Sequence, residues 1–351
     1  MNLSSLLNNR AFLVDSTFRD DSVLNKEFLQ RCLRDSKIDD TIIDISIVSE
    51  ENNYDSYEIQ TSEGRFFRLK ISEDPDSQDL KREHNILKTT QGVATGKLFS
   101  FKESKTTRLI FQFPDSISSS ELARSELVED CNNLFRGYFA LHKAISPAPK
   151  RHYKSIIKDD AKKLSLENFP EESQNSIKDY SNYSLLNEFL TDLAREIEDR
   201  ASKIPATKTC LGGMPLKNIF YSNGLYFFDY LHKTSLCHPF IDLADFILDF
   251  GADDNLENLF LDEFCQVGNL DRERNLYKEI YQLQLRQRLL DAVTQYLLEV
   301  YVLRSQRVAN LVNLAGFFSH SFDRFKSIPL FVGNHGFLLK TLTEPVLGVK
   351  A

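Results

Sequence analysis

Tryptophan is absent from the sequence, and cysteine, methionine and histidine are scarce. The five cysteines, at positions 32, 131, 210, 237 and 265, form no CxxC pair, which argues against a disulfide framework and favours free thiols in a reducing compartment. The seven histidines include no helical HxxxH pair, and none has a cysteine at zinc-ligand spacing. We therefore expect a cytoplasmic protein without a structural metal.

The sequence also lacks an excess of positive charge, since its net charge is -8. Nucleic acids and anionic membranes attract basic surfaces, so neither is expected as a partner. No apolar run predicts a membrane span, because the most apolar C-terminal stretch is interrupted by Glu299, Arg304 and Arg307. The N-terminal residues show no basic segment followed by an apolar run, so an export signal is not expected either.

Apolar residues are plentiful, at 42% of 351 residues, and this is enough for a sizeable core in two lobes. Residues 41–113 contain short runs rich in β-branched and aromatic residues between polar turns, which predicts a small sheet. One amphipathic helix, from about Gln78 to Thr89, interrupts the strands. An N-terminal helical segment over 1–40, a hinge at 114–117 and a mainly helical part over 118–351 complete the predicted organisation.

A hairpin interrupts the helical part within residues 207–230. Two short apolar runs flank Asn223-Gly224, and Asn-Gly between such runs is the strongest short hairpin signal. Asn218 stands at the start of this hairpin and Asp229 at its end.

Two further segments of the helical part have distinct patterns. Residues 153–182 are dense in charged and polar residues and indicate a polar excursion or a loose pair of helices. From about Arg274 to Arg304, apolar residues recur with helical spacing and predict a long amphipathic helix.

This order of parts resembles the aminoglycoside phosphotransferase and choline kinase family, whose fold is α+β, two-lobed and protein-kinase-like. Residues 64–71 look like the family's strand with a phosphate-binding Lys or Arg, and Arg82-Glu83 looks like the helix start whose glutamate pairs with it. The resemblance thus implies nucleotide-binding roles for Lys70 and Glu83. It also implies ATP and magnesium as cofactors and a small-molecule hydroxyl as the acceptor.

Two polar residues further along the chain match the metal ligands of the family, and a third matches a structural residue. Asn218 stands at the position of one magnesium ligand, and Asp229 stands at the position of the second. Carboxylate and amide oxygens suit magnesium, which completes its shell with phosphate oxygens and water. The motif at 239–244, Pro-x-x-Asp-Leu-Ala, matches a family motif whose aspartate braces the catalytic loop, so the resemblance implies a structural role for Asp242.

The catalytic loop departs from the family pattern. Leu211-Gly212-Gly213 occupies the place of the family's His-Gly-Asp, so Gly213 replaces the aspartate that orients the acceptor hydroxyl and takes its proton. No other carboxylate lies between Thr207 and Asn218. Loss of a general base typically lowers the rate by about 10²- to 10⁴-fold. The loop is therefore degenerate, and no catalytic residue is assigned.

A second departure lies in the turn at residues 49–56, which would cover the phosphates. This turn contains no glycine and three acidic residues. Carboxylates repel a triphosphate, although outward-pointing side chains would still let backbone amides reach phosphate. The turn weighs against nucleotide binding but leaves it open.

Each motif residue also has a structural explanation. Lys70 alone fits a solvent-facing strand lysine, and Asn218 and Asp229 alone fit turn-capping residues. Three hypotheses remain: a pseudokinase that binds ATP and magnesium with weak or absent transfer, an active kinase of an amino sugar, sugar or choline-like alcohol, and a non-catalytic scaffold for a protein partner.

Overall fold

The computed structural model describes residues 21–51, 54–103, 105–119, 121–145, 152–153, 183–301 and 325–334. Residues 1–20 of the predicted N-terminal segment lie outside this part, as does the predicted polar stretch at 153–182 apart from Tyr153. The chain divides into two compact units. The first comprises Asn8–His152 and Pro205–Tyr277, and the second comprises Met1–Leu7, Tyr153–Ile204 and Lys278–Ala351.

A five-stranded antiparallel sheet forms the N-terminal part of the first unit. Its strands are β1 (Ile42–Glu51), β2 (Tyr54–Thr61), β3 (Phe66–Ser72), β4 (Lys97–Glu103) and β5 (Thr107–Phe113). Their order is β1-β2-β3-β5-β4, so β3 is the central strand and is hydrogen-bonded on both sides. All residues of β3 except its first are buried, including two basic side chains.

Sequence patterning predicts four of these strands and misses β4. The side chains of β4 alternate between exposed and half-buried positions, and several of them are polar or charged. An edge strand with few fully buried side chains lacks the apolar run that identifies a strand in a sequence. The polar edge therefore explains the missed prediction.

Two helices accompany the sheet. Helix α1 (Asp21–Asp35) contributes apolar side chains to the core under the sheet. Helix α2 (Gln78–Thr90) confirms the predicted helix, and it begins after Ser77, whose hydroxyl accepts a hydrogen bond from the Leu80 amide. The buried face of α2 carries Glu83 beside its leucines, so a carboxylate is directed into the core.

The remainder of the first unit holds short strands between helices. Its elements are β6 (Ile117–Ser118), α3 (Arg124–Glu129), α4 (Cys131–Ile145), β7 (Lys208–Cys210), β8 (Ile219–Ser222), β9 (Leu225–Phe228), β10 (Ser235–Cys237), α6 (Phe240–Phe250) and α7 (Asp254–Gly268). The predicted hinge at 114–117 lies between β5 and β6, and its role as a boundary stays a prediction.

The hairpin of β8 and β9 confirms the turn prediction. Ser222 pairs with Leu225, and the two residues between them have positive φ, 50° at Asn223 and 81° at Gly224. Asn and Gly tolerate this conformation, which two-residue hairpin loops require. The hairpin therefore fixes the positions of the residues at its two ends, Asn218 and Asp229.

The second unit is helical where the structure describes it. It contains α5 (Tyr183–Lys203) and most of α8 (Asn275–Tyr301), which confirms the predicted late helix, while residues 302–304 lie outside the described part. The buried Arg286 donates a hydrogen bond of 2.6 Å to Glu196, which links the two helices. Among the described residues, no helix is both long and apolar enough to cross a membrane.

Candidate functional site

Lys70 lies between two carboxylates in the first unit. Its Nζ donates hydrogen bonds of 2.7 Å to Glu83 Oε1 and 2.6 Å to Asp229 Oδ1. The Lys70 side chain is 0% exposed, and both carboxylates are 1% exposed. The structure thus brings together three of the predicted site residues from β3, α2 and the end of β9, and it rejects a solvent-facing position for Lys70.

The backbone at the end of the hairpin places the fourth residue beside them. The amide of Asp229 donates a hydrogen bond of 3.0 Å to the carbonyl of Asn218. The amide of Tyr230, which has a φ of 61°, donates to Asp229 Oδ1 at 2.7 Å. The left-handed turn at Tyr230 therefore directs the Asp229 carboxylate toward Lys70.

Aromatic rings enclose the Lys70 ammonium. The ring centroids of Tyr230, Tyr54 and Phe111 lie 4.2, 5.4 and 5.5 Å from Nζ. Tyr54 stacks on Tyr230, and its hydroxyl lies 3.2 Å from His232 Nδ1. The sequence gives no signal that Tyr230 belongs to the site, whereas the structure places its ring against the Lys70 ammonium. The enclosure keeps water away from the ion cluster, which strengthens its electrostatic interactions.

The pKa values of the three groups follow from burial and from their mutual charges. Burial alone would lower the pKa of Lys70, but the carboxylates of Asp229 and Glu83 outweigh it and raise that pKa. Burial raises the pKa of Glu83 to about 7. Although burial opposes ionisation of Asp229, Lys70 and Arg68 hold its pKa below the usual value. At neutral pH the cluster therefore holds a charged lysine, an ionised aspartate and a glutamate that titrates.

Several buried polar atoms at this site make no hydrogen bond within the described part of the chain. The acceptors are Asn218 Oδ1, Asp229 Oδ2 and Glu83 Oε2, and the donors are Arg68 Nε and Nη1. Buried polar groups are normally paired, so this concentration makes the cluster a candidate site for a polar ligand. Sequence reasoning did not find Arg68, although its position two residues before Lys70 on a strand places both on one face.

Asp242 braces the loop of residues 211–213. Its Oδ2 accepts hydrogen bonds from the Leu211 amide at 2.7 Å and the Tyr138 hydroxyl at 2.6 Å, and its Oδ1 accepts one from the Gly213 amide at 2.7 Å. The loop itself has positive φ at two successive residues, 88° at Gly212 and 131° at Gly213. These angles favour glycine, so the two glycines allow the loop to adopt this conformation.

An aspartate lies beside the loop where a side chain on Gly213 would extend. A Cβ atom on Gly213 would lie 3.0 Å from Asp245 Oδ2 and 3.6 Å from its Cγ. Asp245 belongs to α6, one turn after Asp242, and is half-buried. Because Asp245 lies outside the loop in the sequence, no sequence pattern predicts that it is close to Gly213. A carboxylate thus lies near Gly213 even though the loop contains none.

The buried state of Asp242 predicts a specific pH dependence. Burial raises its pKa from 3.8 to about 6, against the opposing effect of its three hydrogen-bond donors. The folded protein therefore binds a proton at Asp242 more tightly than the unfolded chain does. The stabilisation that results from this difference is complete below the pKa of the unfolded state, and it is lost as the pH rises through about 6. In Asp242→Asn the group does not titrate, so we expect the stability difference between wild type and variant to shrink by about 2 kcal/mol from about pH 4.5 to 7.5. Urea unfolding across this range measures it, and parallel pH profiles would contradict the buried-carboxylate interpretation.

Part of the acidic turn at 49–56 lies outside the described residues, namely Asn52 and Asn53. The prediction that its carboxylates oppose a triphosphate is not tested and stays a prediction.

Comparison with known proteins identifies the fold. No family model and no curated protein matches the sequence. Solved structures do match: Plasmodium vivax ethanolamine kinase is 12% identical with a TM-score of 0.57, covering 95% of this chain and 96% of that one. A thermostable mutant of aminoglycoside phosphotransferase APH(4)-Ia, in complex with ADP and hygromycin B, is 12% identical with a TM-score of 0.55, covering 87% and 98%. Choline kinase LicA from Streptococcus pneumoniae is 14% identical with a TM-score of 0.52, covering 80% and 92%.

These similarities confirm the predicted fold class. The chain has the α+β, kinase-like fold of aminoglycoside phosphotransferases and of choline and ethanolamine kinases, with a five-stranded antiparallel sheet followed by a mainly helical region. Fold does not determine activity. The functions of Lys70, Glu83, Asn218, Asp229 and Asp242 remain predictions.

Proposed function

We propose that this protein is a pseudokinase, in which transfer of a phosphoryl group from ATP to a small-molecule hydroxyl is weak or absent. The observation that carries the proposal is the hydrogen bond of Asp242 to the Gly213 amide, at 2.7 Å. This hydrogen bond supports the interpretation that residues 211–213 form the catalytic loop. Asp242 would hold the loop in place, and glycine would stand at the position of the reactive acid. Without a base on this loop, we expect a rate about 10²- to 10⁴-fold below that of an ordinary kinase.

The oxygen atoms of the site that could coordinate a metal ion support the binding of magnesium. Asn218 Oδ1 and Asp229 Oδ2 are buried oxygens that make no hydrogen bond within the described residues, and hard oxygen atoms of this kind suit magnesium. No group of three or more His, Cys, Asp or Glu residues in the described part forms a metal site, so phosphate oxygens and water would complete the shell. A bound magnesium ion would neutralise phosphate charge.

Lys70 would supply a further positive charge to the phosphates. It is now bonded to both Glu83 and Asp229, so contact with a phosphate requires it to give up part of one of these interactions. Glu83 would then keep the ammonium in position. Relatives of this fold support the nucleotide, since solved structures contain ADP with hygromycin B or with spectinomycin.

A second candidate function is an active small-molecule kinase. Asp245 favours it, because its Oδ2 lies 3.0 Å from the position of a Cβ on Gly213. In that reaction the acceptor hydroxyl passes its proton to the Asp245 carboxylate while its oxygen bonds to the γ-phosphorus. The bond between that phosphorus and the β,γ-bridging oxygen breaks, and ADP leaves.

The third candidate, a scaffold without ligand, is favoured by the zero exposure of the Lys70 side chain. A ligand that binds only the folded state raises its stability. An unchanged melting temperature with every phosphate ligand would favour the scaffold.

The proposed function is tested by ATP consumption with magnesium and a panel of acceptors that includes hygromycin B, spectinomycin, choline and ethanolamine. Ordinary kinases turn over at about 1–100 s⁻¹, and we expect at least ~10²-fold less here. Asn218→Ala removes a proposed metal ligand. Turnover that this variant leaves unchanged would come from contaminating kinases and counts as background. Turnover at an ordinary rate would overturn the pseudokinase proposal. If that turnover is lost in Asp245→Asn but kept in the control variant Asp254→Asn, the second candidate is established.

A further inference from the structure

Arg68 is buried on the same face of β3 as Lys70. Both side chains are 0% exposed. Residues two apart on a strand point to the same face and are separated by about 7 Å. The first unit therefore contains two adjacent cations in one buried region, of which only Lys70 has a place in the proposed function.

The Arg68 guanidinium occupies a corner between two aromatic rings. Its Cζ lies 4.8 Å from the ring centroid of Phe220 on β8 and 5.2 Å from that of Phe113 on β5. The two rings are nearly perpendicular, at 83°, with centroids 5.2 Å apart. We call this space the aromatic corner. Planar groups gain favourable interactions against aromatic faces, and nucleotide bases do so without requiring specific hydrogen bonds.

The guanidinium is poorly satisfied in this position. Its one hydrogen bond within the described residues runs from Nη2 to Glu58 Oε2, at 2.9 Å, while Nε and Nη1 have no partner. Nε lies 3.8 Å from Asp229 Oδ2, too far for a hydrogen bond. Unpaired buried donors are unfavourable. Packing against the two rings, the ion pair with Glu58 and the longer-range attraction of Asp229 are therefore the interactions that hold Arg68 in the corner.

We propose that Arg68 determines which ligands this site accepts, by filling the aromatic corner and excluding an aromatic base. The inference rests on the proposed function, which places the phosphates at Lys70. The aromatic corner is then the aromatic surface next to the phosphates, because Arg68 and Lys70 lie on the same face of β3. A base cannot stack there while the guanidinium occupies the space. The site in its present form binds a nucleotide through its phosphates, and the base stays outside the corner.

The charge of Arg68 acts in the same direction on the metal. A cation on Asp229 Oδ2 would face the guanidinium, whose Nε is 3.8 Å from that oxygen. Like charges in a buried site repel strongly. Removing Arg68 therefore opens the corner to a base and also lowers the repulsion of magnesium.

The test compares four forms of the full chain: wild type, Arg68→Ala, Arg68→Val and Arg68→Met. Valine is suited to a strand and gives a second opened corner if the alanine variant is unstable, whereas methionine keeps the corner filled. Arg65→Ala is the matched control, because Arg65 also contacts a ring, Phe67 at 5.5 Å, and pairs with Asp40, away from the Lys70 cluster. The ligands are adenosine, magnesium-ATP and magnesium-tripolyphosphate, and their binding is measured by thermal shift and calorimetry.

We expect wild type, Arg68→Met and Arg65→Ala to show no adenosine binding, and the alanine or valine variant to gain at least tenfold in affinity for adenosine. Adenosine binding by wild type with the affinity of an opened variant would overturn the inference. A folded opened variant that gains nothing would overturn it too. Tripolyphosphate reports separately on the proposed phosphate and metal site, so failure of that site leaves the adenosine result interpretable.

A measurement on the unmodified protein covers the case in which neither opened variant folds. The Nε–H resonance of Arg68 is followed by ¹⁵N NMR during titration with magnesium-ATP. We expect a resonance that stays protected from solvent exchange when the ligand is bound. Rapid exchange with solvent at saturating ATP would show that Arg68 leaves the corner and would refute its role.

Discussion

Lys70→Met should destabilise the protein by about 3–5 kcal/mol, because the substitution leaves the buried carboxylates of Glu83 and Asp229 without their shared cation. Lys70 Nζ makes hydrogen bonds of 2.7 and 2.6 Å to them, whereas Arg68 Nε lies 3.8 Å from Asp229 Oδ2, too far for a hydrogen bond. Methionine fills similar space, so the loss is electrostatic. Urea unfolding at neutral pH measures the change.

Lys81 offers a matched control for this prediction. It also bridges two carboxylates, Asp76 and Glu103, but at the surface. Exposed ion pairs contribute little, so Lys81→Met should leave the unfolding midpoint nearly unchanged. A triple variant with Lys70→Met, Glu83→Gln and Asp229→Asn should recover much of the stability, because it removes the charges together. Equal stability of Lys70→Met and Lys81→Met would show that the cluster is solvated.

Gly213→Asp, which introduces the acid that the aminoglycoside phosphotransferase pattern has at this position, should destabilise the fold by about 4 kcal/mol. A side chain at a φ of 131° is strained, by about 1–3 kcal/mol. The Cβ of the new side chain would lie 3.0 Å from Asp245 Oδ2, which brings its carboxylate close to that of Asp245, and two like charges about 4 Å apart repel by about 1–4 kcal/mol at the dielectric constants of water and protein surfaces. Chemical denaturation of the single variant measures the sum.

A double-mutant cycle separates the two causes. Gly213→Asn carries the same strain without the charge, and Gly213→Asp combined with Asp245→Asn removes the repulsion. We expect a favourable coupling of at least about 1 kcal/mol between Gly213→Asp and Asp245→Asn. Additive effects would mean that Asp245 does not face the introduced carboxylate. The combined variant is also the appropriate background in which to look for restored transfer.

The sequence was sufficient to predict the fold because local signals agree with the tertiary structure. The Asn223-Gly224 turn, the strand runs around Lys70 and the helix of Glu83 each follow from patterns of a few residues. The spacing of Lys70, Glu83 and Asp229 in the motifs then predicted that they meet, and the structure brings them within hydrogen-bonding distance.

The rest of the site could not be predicted because it depends on contacts between distant segments. Arg68 has no local signature, since an arginine in a strand normally points to solvent. Only the central position of β3 in the sheet buries it against Phe113 and Phe220. The proximity of Asp245 to Gly213 likewise requires the loop conformation, in which two glycines adopt positive φ.

The ion cluster around Lys70 has a consequence for how such a chain evolves. Lys70 is the shared partner of two buried carboxylates, Glu83 and Asp229, so losing Lys70 leaves both of them without their cation. A mutation of Lys70 is then selected against for folding alone, whatever chemistry the site performs. The presence of this lysine in a related chain would therefore report first on the stability of the fold.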